Sequence, residues 1–439
     1  MIKRRRFPKI FFGWWTAISA GIIAFWAVGI HIYGFSALLK PISSSLGFSR
    51  AAASVPSSIG RLEGGIEGPV VGYLSDRFGT RWIIFLGVCI MSLSLILMYF
   101  INSLWGFWLV WGIMLGTGVN LAQSISSDTA ITNWFVKKRG LAMGIRRALG
   151  GLGGTVVLPL MAWLLVTQGW RMTCFIGGIT VGLISLPLAW FGFKSHRPEY
   201  YGLLPDGATV EEEAADTSRM IEKGIKYASE FQEVEFTLRQ ALRTPAFWLL
   251  TGSTALYFLV VQGFTVHIIP FLTDIGFEPV KAAAILAIMS AISTPFRFLG
   301  GPISDRIKRG HLRFLLAGAF SMMAIGFAVF LIHPTTAMLY VWIVLYGVSH
   351  GLALIITVII VPRYFGRKAF GSIRGTSMVF TLATAMTSPI YAGWVYDTTG
   401  SYITVFMQFA IVLTFATILM TLALPPKPPT KVTDISNIL

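Results

Sequence analysis

The chain has 439 residues, of which 55% are hydrophobic and 12% charged, about half the charged share of an ordinary soluble domain. That balance excludes a soluble globular protein, and the two cysteines, Cys89 and Cys174, both in apolar stretches, exclude a disulfide scaffold or a cysteine-based metal site. The net charge of +16 would suit a nucleic-acid binder, but its distribution along the chain argues against one.

Apolar runs near the ~20 residues that cross a bilayer as a helix recur twelve times, at 13–38, 52–74, 81–101, 105–127, 140–166, 172–192, 246–272, 280–303, 313–332, 337–361, 372–395 and 402–423. The basic opening, MIKRRRFPKI, lacks the short apolar core and small-residue cleavage site of a secretory signal, so it is expected to remain as a cytoplasmic anchor. In the second run RLEGGIEG places Arg61, Glu63 and Glu67 among glycines, and GYLSDRFGTR with Asp76 and Arg77 follows. The fifth run opens on WFVKKRGLAMG and carries Arg146 and Arg147 inside it. A polar region at 194–244, containing EEEAAD and SEFQEVEF, separates six runs from six and reads as a solvated cytoplasmic linker. In the eighth run Arg297 precedes GPISDRIKRG, with Asp305 and Arg306, and Arg374 stands at the start of the eleventh. The domains follow as two six-helix halves, 1–193 and 245–424, joined by the loop 194–244 and followed by a tail, 425–439.

With the N-terminus placed inside, 26 of the 35 lysines and arginines fall on the inner side and four (Lys40, Arg50, Arg171, Lys281) on the outer, the rest lying within helices. Such asymmetry is the positive-inside rule, and it sets both termini in the cytoplasm. The second half also echoes the first. Asp76-Arg77 recurs as Asp305-Arg306 after 229 residues, Trp134-Phe135 as Tyr364-Phe365 after 230, and Pro159 as Pro389 at the same interval. Two halves related by a parallel repeat are a transporter architecture, with substrate bound between them near mid-membrane and access alternating as the halves rock.

GYLSDRFGTR resembles the loop signature G-x-L-x-D-R-x-G-x-R of the major facilitator superfamily, and GPISDRIKRG resembles its second copy, with the glycine spacing altered at Ile307-Lys308-Arg309. WFVKKRGLAMG is similar to the Y-F-x-K-R-R-x-L-A-x-G signature of monocarboxylate transporters and their bacterial relatives, the oxalate–formate exchangers among them. FGWW at 12–15 suits the aromatic opening of their first helix. The resemblance implies an all-α integral membrane protein of twelve transmembrane helices in two pseudo-symmetric six-helix bundles. It also implies a multi-pass protein of the plasma membrane, the inner membrane in a bacterium, working as a monomer without cofactor or metal.

Asp76 and Asp305 each mark the cytoplasmic end of a helix, where a carboxylate gains from the partial positive charge of a neighbouring helix N-terminus. With Arg77, Arg306 and Arg374, the last expected beside Asp76, they form the expected gate. Arg297 lies eight residues before Asp305, about 12 Å up the helix, where a guanidinium needs a partner and suits a carboxylate best. The resemblance implies the same role, since an arginine at the matching place in monocarboxylate transporters is implicated in holding the substrate carboxylate. Animal members carry an aspartate four residues earlier, where this chain has Ser293, so the proton-coupling group stays open. A structural arginine paired with a glutamate of the second helix is the alternative.

Glu63 and Glu67, four residues apart, share one helix face, and Glu67 sits nine residues before Asp76, at nearly the depth of Arg297. Two roles fit these acids. One is proton coupling, since burial disfavours a carboxyl's charge. The other is an ion-pair network with Arg61, Arg146 or Arg147. Among polar groups in helices that line the cavity in this superfamily, Asn120, Tyr346 and His350 are set beside Arg297 as substrate contacts. His31, Tyr33, Gln123, Tyr257, Gln262 and His267 read as packing or interfacial residues.

No HExxH, no G-x-S-x-G with a triad and no metal-ligand cluster occurs, and the glycines at 150–154 lie inside a helix without the strand that a phosphate loop needs. The expected function is therefore secondary active transport of a small organic anion, a monocarboxylate by preference, with proton coupling left open. An exporter of amphipathic or drug-like compounds is the alternative within transport, and a membrane receptor or enzyme the distant one.

Overall fold

The computed structural model describes residues 11–47, 50–208, 217–230, 234–277, 279–332 and 335–427, and among them there are helices and no strands. The first apolar run becomes α1 (Phe12–Ala27), a π-helical stretch Val28–Gly34 and α2 (Phe35–Leu46), which carries it past the expected end at 38. Helix α3 (Arg50–Phe78) is followed by α4 (Thr80–Leu97) with a 3-10 turn Met98–Phe100. The turn between them rests on Gly79, at φ 83°, where a Cβ would press on the Ser195 carbonyl at 2.5 Å, so only glycine fits.

The fourth rod is composite: α5 (Leu104–Phe107), π-helical Trp108–Leu115, α6 (Gly116–Gln123) and α7 (Ile125–Trp134), broken at Ser124 (φ −82°, ψ −113°). Helix α8 (Arg139–Phe191) comprises the fifth and sixth rods, divided at Gly169 (φ 76°, ψ 169°). The remainder are α9 (Thr217–Glu230), α10 (Leu238–Leu242), α11 (Pro245–Asp274), α12 (Pro279–Arg306), α13 (Leu312–Ile332), α14 (Thr336–Phe365), α15 (Phe370–Thr399) and α16 (Tyr402–Leu422).

Among the described residues ten helical stretches are long and apolar enough to cross a membrane. Helices α3 and α12, of 29 and 28 residues, add two more. At ~1.5 Å per residue each exceeds the ~30 Å hydrocarbon core. The twelve expected spans are therefore present, with Arg61, Glu63 and Glu67 diluting the apolar character of α3.

Contacts divide the described residues into two compact units: one holds those up to Gly60 and from Arg77 to 230, the other Arg61–Asp76 and those from 234 on. In the first unit α8 packs against α1 and α4, around a core that includes Met91, Leu95, Met98, Phe107, Trp111 and Val157. In the second, α11 packs on α15 and α16, α12 on α14, and α13 on α14 and α16. Its core is aromatic, with Phe264, Phe271, Phe327 and Phe406 around Trp342, itself stacked on Phe330 at 4.7 Å. The part of α3 that belongs to this unit comes to backbone contact with α15. Gly68 faces Gly375 and Gly72 faces Gly371, and a Cβ at either pair would collide with the opposite main chain. Small residues permit this close approach of helices in a membrane.

The region after α8 corrects the expectation of a bare linker. Two 3-10 turns, Pro198–Tyr201 and Pro205–Gly207, bury Pro198, Glu199, Leu204 and Pro205, and α9 packs on both. The reason is tertiary: α9 covers both turns and shields those side chains, a contact that a polar, linker-like composition does not reveal. EEEAAD and residues 231–233 of SEFQEVEF lie outside the described residues, but Phe236 is buried and its amide donates to the Phe365 carbonyl at 2.9 Å.

Candidate substrate site and gate

Arg297 stands on α12, eight residues before Asp305 along the same continuous helix. Its Nη2 donates to Ser293 Oγ at 2.9 Å, and the Ser293 hydroxyl donates onward to the Ser290 carbonyl at 2.8 Å. Ser293 thus accepts from a guanidinium one helical turn away on the same helix. On α14, His350 and Tyr346 lie one turn apart and stack at 5.5 Å and 17°. His350 Nδ1 shares a 2.7 Å hydrogen bond with the hydroxyl of Tyr257 on α11. Helix α14 packs against α12 beside these residues, with Gly351 so close that a Cβ there would collide with the Ser293 carbonyl. Tyr257 is itself fixed by stacking on Phe320 at 5.0 Å.

The second unit therefore brings together Arg297, Tyr346 and His350, and adds Tyr257, which sequence reasoning ranked with packing residues. A planar cation beside two phenol hydroxyls and an imidazole can grip a carboxylate by both oxygens and hydrogen-bond the remainder of a small ligand. Asn120 belongs to the first unit, half-buried at the end of α6, where its carbonyl accepts from the Ser124 amide.

Glu63 and Glu67 are both half-buried on α3 and counted with the second unit, while the Arg61 side chain lies outside the described residues. Glu63 Oε2 is buried and meets no hydrogen-bond partner among the described residues. Arg146 and Arg147 are held within the first unit by Asp128 of α7. Arg146 Nη1 lies 2.5 Å from Asp128 Oδ1 and Arg147 Nη2 3.0 Å from Oδ2. Arg146 and Asp128 are buried, whereas Arg147 is exposed on its outer side. Sequence reasoning missed Asp128 because the polar run SSDTAITN ended the fourth apolar stretch at 127, although α7 continues to Trp134. The available signal was the lone acid itself, within one helix length of two unexplained arginines.

At the candidate gate, Asp76 sits on the N-terminus of α15. Its carboxylate accepts from the Ser372 amide at 2.9 Å, the Ser372 hydroxyl at 2.8 Å and the Gly371 amide at 3.3 Å. This is the helix-end contact expected for Asp76, and Ser372 is the partner that the sequence did not single out. Arg374 lies half a turn further along α15, buried beside Thr251, Thr254 and Ser377. Asp305 meets Arg363 from the end of α14 at 3.7 Å, and Arg363 also donates to the Asp305 carbonyl. Arg77 and Arg306 are exposed, the former over the ring of Phe78.

Two weaker residues fall where packing predicts. His31 stacks on Trp111, and His267 bridges the Tyr402 hydroxyl and the Pro389 carbonyl at 3.1 and 2.9 Å. The side chain of Tyr33 lies outside the described residues.

Comparison with known proteins gives the context of this geometry. The family profile described as Major Facilitator Superfamily matches residues 18–376 and 310–438. The chain is 24% identical to monocarboxylate transporter 13 of Rattus norvegicus, covering 92% of this chain and 86% of that one. It is 25% identical to the oxalate:formate antiporter of Oxalobacter formigenes, covering 74% and 70%. An uncharacterized MFS-type transporter of Bacillus subtilis, YcxA, is 24% identical over 86% and 87%. Among solved structures the proton:xylose symporter XylE superposes with a TM-score of 0.68 at 13% identity, over 93% of this chain and 95% of that one, a likeness of fold alone. The profile spans nearly every helix described above, and the chain belongs to the Major Facilitator Superfamily: it is a multi-pass membrane transporter, not an enzyme.

Proposed function

We propose that the protein carries a small monocarboxylate across the membrane by alternating access, with Arg297 holding the carboxylate and Tyr257, Tyr346 and His350 shaping the rest of the site. The observation that carries this reading is the guanidinium of Arg297, held by Ser293 on α12, a helix packed against the α14 that presents Tyr346 and the His350–Tyr257 pair. The relatives named for monocarboxylates and for oxalate and formate support the substrate class. The protein works as a monomer with both termini in the cytoplasm. Its two halves are residues 1–193 and 245–424. The gate is formed by Asp76, Arg77 and Arg374 at one repeat and by Asp305 and Arg306 at the other.

Proton coupling runs through the acids of α3 in this reading. Glu63 has a buried oxygen that no described donor claims, and a carboxyl of that kind is available to a proton.

The test is uptake of a panel of labelled mono- and dicarboxylates into proteoliposomes, with and without a pH gradient. Monocarboxylates should accumulate with the gradient, Arg297→Ala should abolish uptake, and Glu63→Gln or Glu67→Gln should end accumulation while exchange of preloaded substrate continues. Normal carboxylate transport by Arg297→Ala sinks the assignment. Preference for bulky amphipathic compounds over every carboxylate points to export instead.

A further inference from the structure

The turn joining α7 to α8 is held by a residue from beyond α8. Asp206 is the residue other than glycine that adopts a left-handed backbone among the described residues, at φ 60° and ψ 3°. Such a conformation in a side-chain-bearing residue is worth a functional question. Its carboxylate answers it by accepting from three successive backbone amides, Val136 at 3.1 Å, Lys137 at 2.8 Å and Lys138 at 2.9 Å. The Tyr227 hydroxyl of α9 donates to the same carboxylate at 3.3 Å.

The surroundings hold this arrangement in place. Trp134, Phe135 and Val136 are buried, and Trp134 stacks on Tyr201 from the turn before Asp206. The Lys194 ammonium sits over Phe12 at 4.7 Å and over Tyr201 at 4.2 Å, a cation–π contact that ties the end of α8 to the same corner. Three amides aimed at one carboxylate make an anion nest, here filled by the chain's own side chain beside Lys137, Lys138 and Arg139.

What the nest controls follows from the two helices it joins. Asp128 lies six residues before the end of α7, and Arg146 seven residues after the start of α8. Their buried ion pair therefore depends on the angle set between Phe135, whose amide closes α7 on the Ile131 carbonyl, and Lys138, whose carbonyl opens α8 by accepting from the Ala142 amide. We propose that Asp206 is a positioning residue, a latch that fixes the α7–α8 turn and so keeps Asp128 clasped by Arg146 and Arg147. The segment following α8 then acts as part of the first unit's machinery, and its loosening is transmitted to a buried ion pair more than two helical turns away.

The test uses the full chain in detergent and needs no substrate, so its outcome is independent of the carboxylate assignment. In Asp206→Gly the backbone conformation is retained without strain while the carboxylate is lost. Amide hydrogen exchange at 136–138 should quicken at least tenfold, and exchange through 139–147 should quicken with it. In an Asp128→Asn background the same substitution should add less than a third of its effect on 139–147, because the pair it acts through is already gone. Asp206→Asn, which keeps one acceptor oxygen and tolerates the same backbone, should fall between wild type and glycine. Unchanged protection at 136–138 in either variant overturns the latch. Additive effects of the Asp206 and Asp128 substitutions on 139–147 leave a loop anchor and overturn the positioning role.

Discussion

Two arginines deep in helices meet different company. Arg146, in the first unit, is buried against Asp128, whose two oxygens are shared with Arg147. Arg297, in the second, donates to a serine hydroxyl on a helix packed against the one that carries Tyr346 and His350. A carboxylate neutralises the first in place and ties two helices together. Hydroxyl and imidazole groups, which both donate and accept, can turn around an arriving anion. The contrast fits the first arginine to holding the protein together and the second to the proposed role of holding the substrate.

Removing one partner of the clasp should have the largest effect. Arg146→Met leaves Asp128 buried with only the half-exposed Arg147, a loss of about 3–5 kcal/mol. Denaturant titration in micelles should show it as a lowered midpoint, and a loss below about 1 kcal/mol would erase the distinction between the two arginines. Arg146→Met combined with Asp128→Leu sharpens the point, because replacing the whole pair by apolar groups should recover most of that loss.

The proposed gate comes next. Asp76→Asn keeps the hydrogen-bonding shape but gives up the charge facing the N-terminus of α15, about 1–2 kcal/mol at a partly buried helix end. Amides 371–374 should then exchange about 5- to 30-fold faster, with the rest of α15 little changed. The smallest effect belongs to Tyr257→Phe, which removes the 2.7 Å bond to His350. At about 1 kcal/mol for a lost hydrogen bond, the apparent affinity for the carboxylate should fall about fivefold while unfolding midpoints stay close to wild type. A fall in stability with unchanged affinity would move Tyr257 back among the packing residues.

The fold could be read from the sequence because its cause is simple: lipid demands long apolar helices, and twelve such runs with a repeated Asp-Arg motif admit few alternatives. Helix ends were harder, since the rule that ends an apolar run at its first polar cluster cut the fourth rod before Asp128. Tyr346 and His350 could be singled out because the resemblance puts their helix on the cavity, and Arg297 because a guanidinium at that depth needs a reason. Tyr257 was not, because its role depends on α11 lying against α14, a tertiary fact. Asp206 was the least legible of all. An aspartate between proline and glycine reads as an ordinary turn, and nothing local tells that its carboxylate reaches amides 68 to 70 residues earlier.

The account rests most heavily on Arg297, and the measurement that reaches it directly is uptake of a labelled monocarboxylate by Arg297→Lys in proteoliposomes, normalised to folded protein. Lysine keeps the charge and gives up the planar fork, so uptake at low substrate should fall about 10- to 100-fold, the scale of a lost charge-assisted hydrogen bond, with the unfolding midpoint held within about 2 °C. Wild-type uptake by that variant, or loss of uptake matched by loss of the fold, would contradict it.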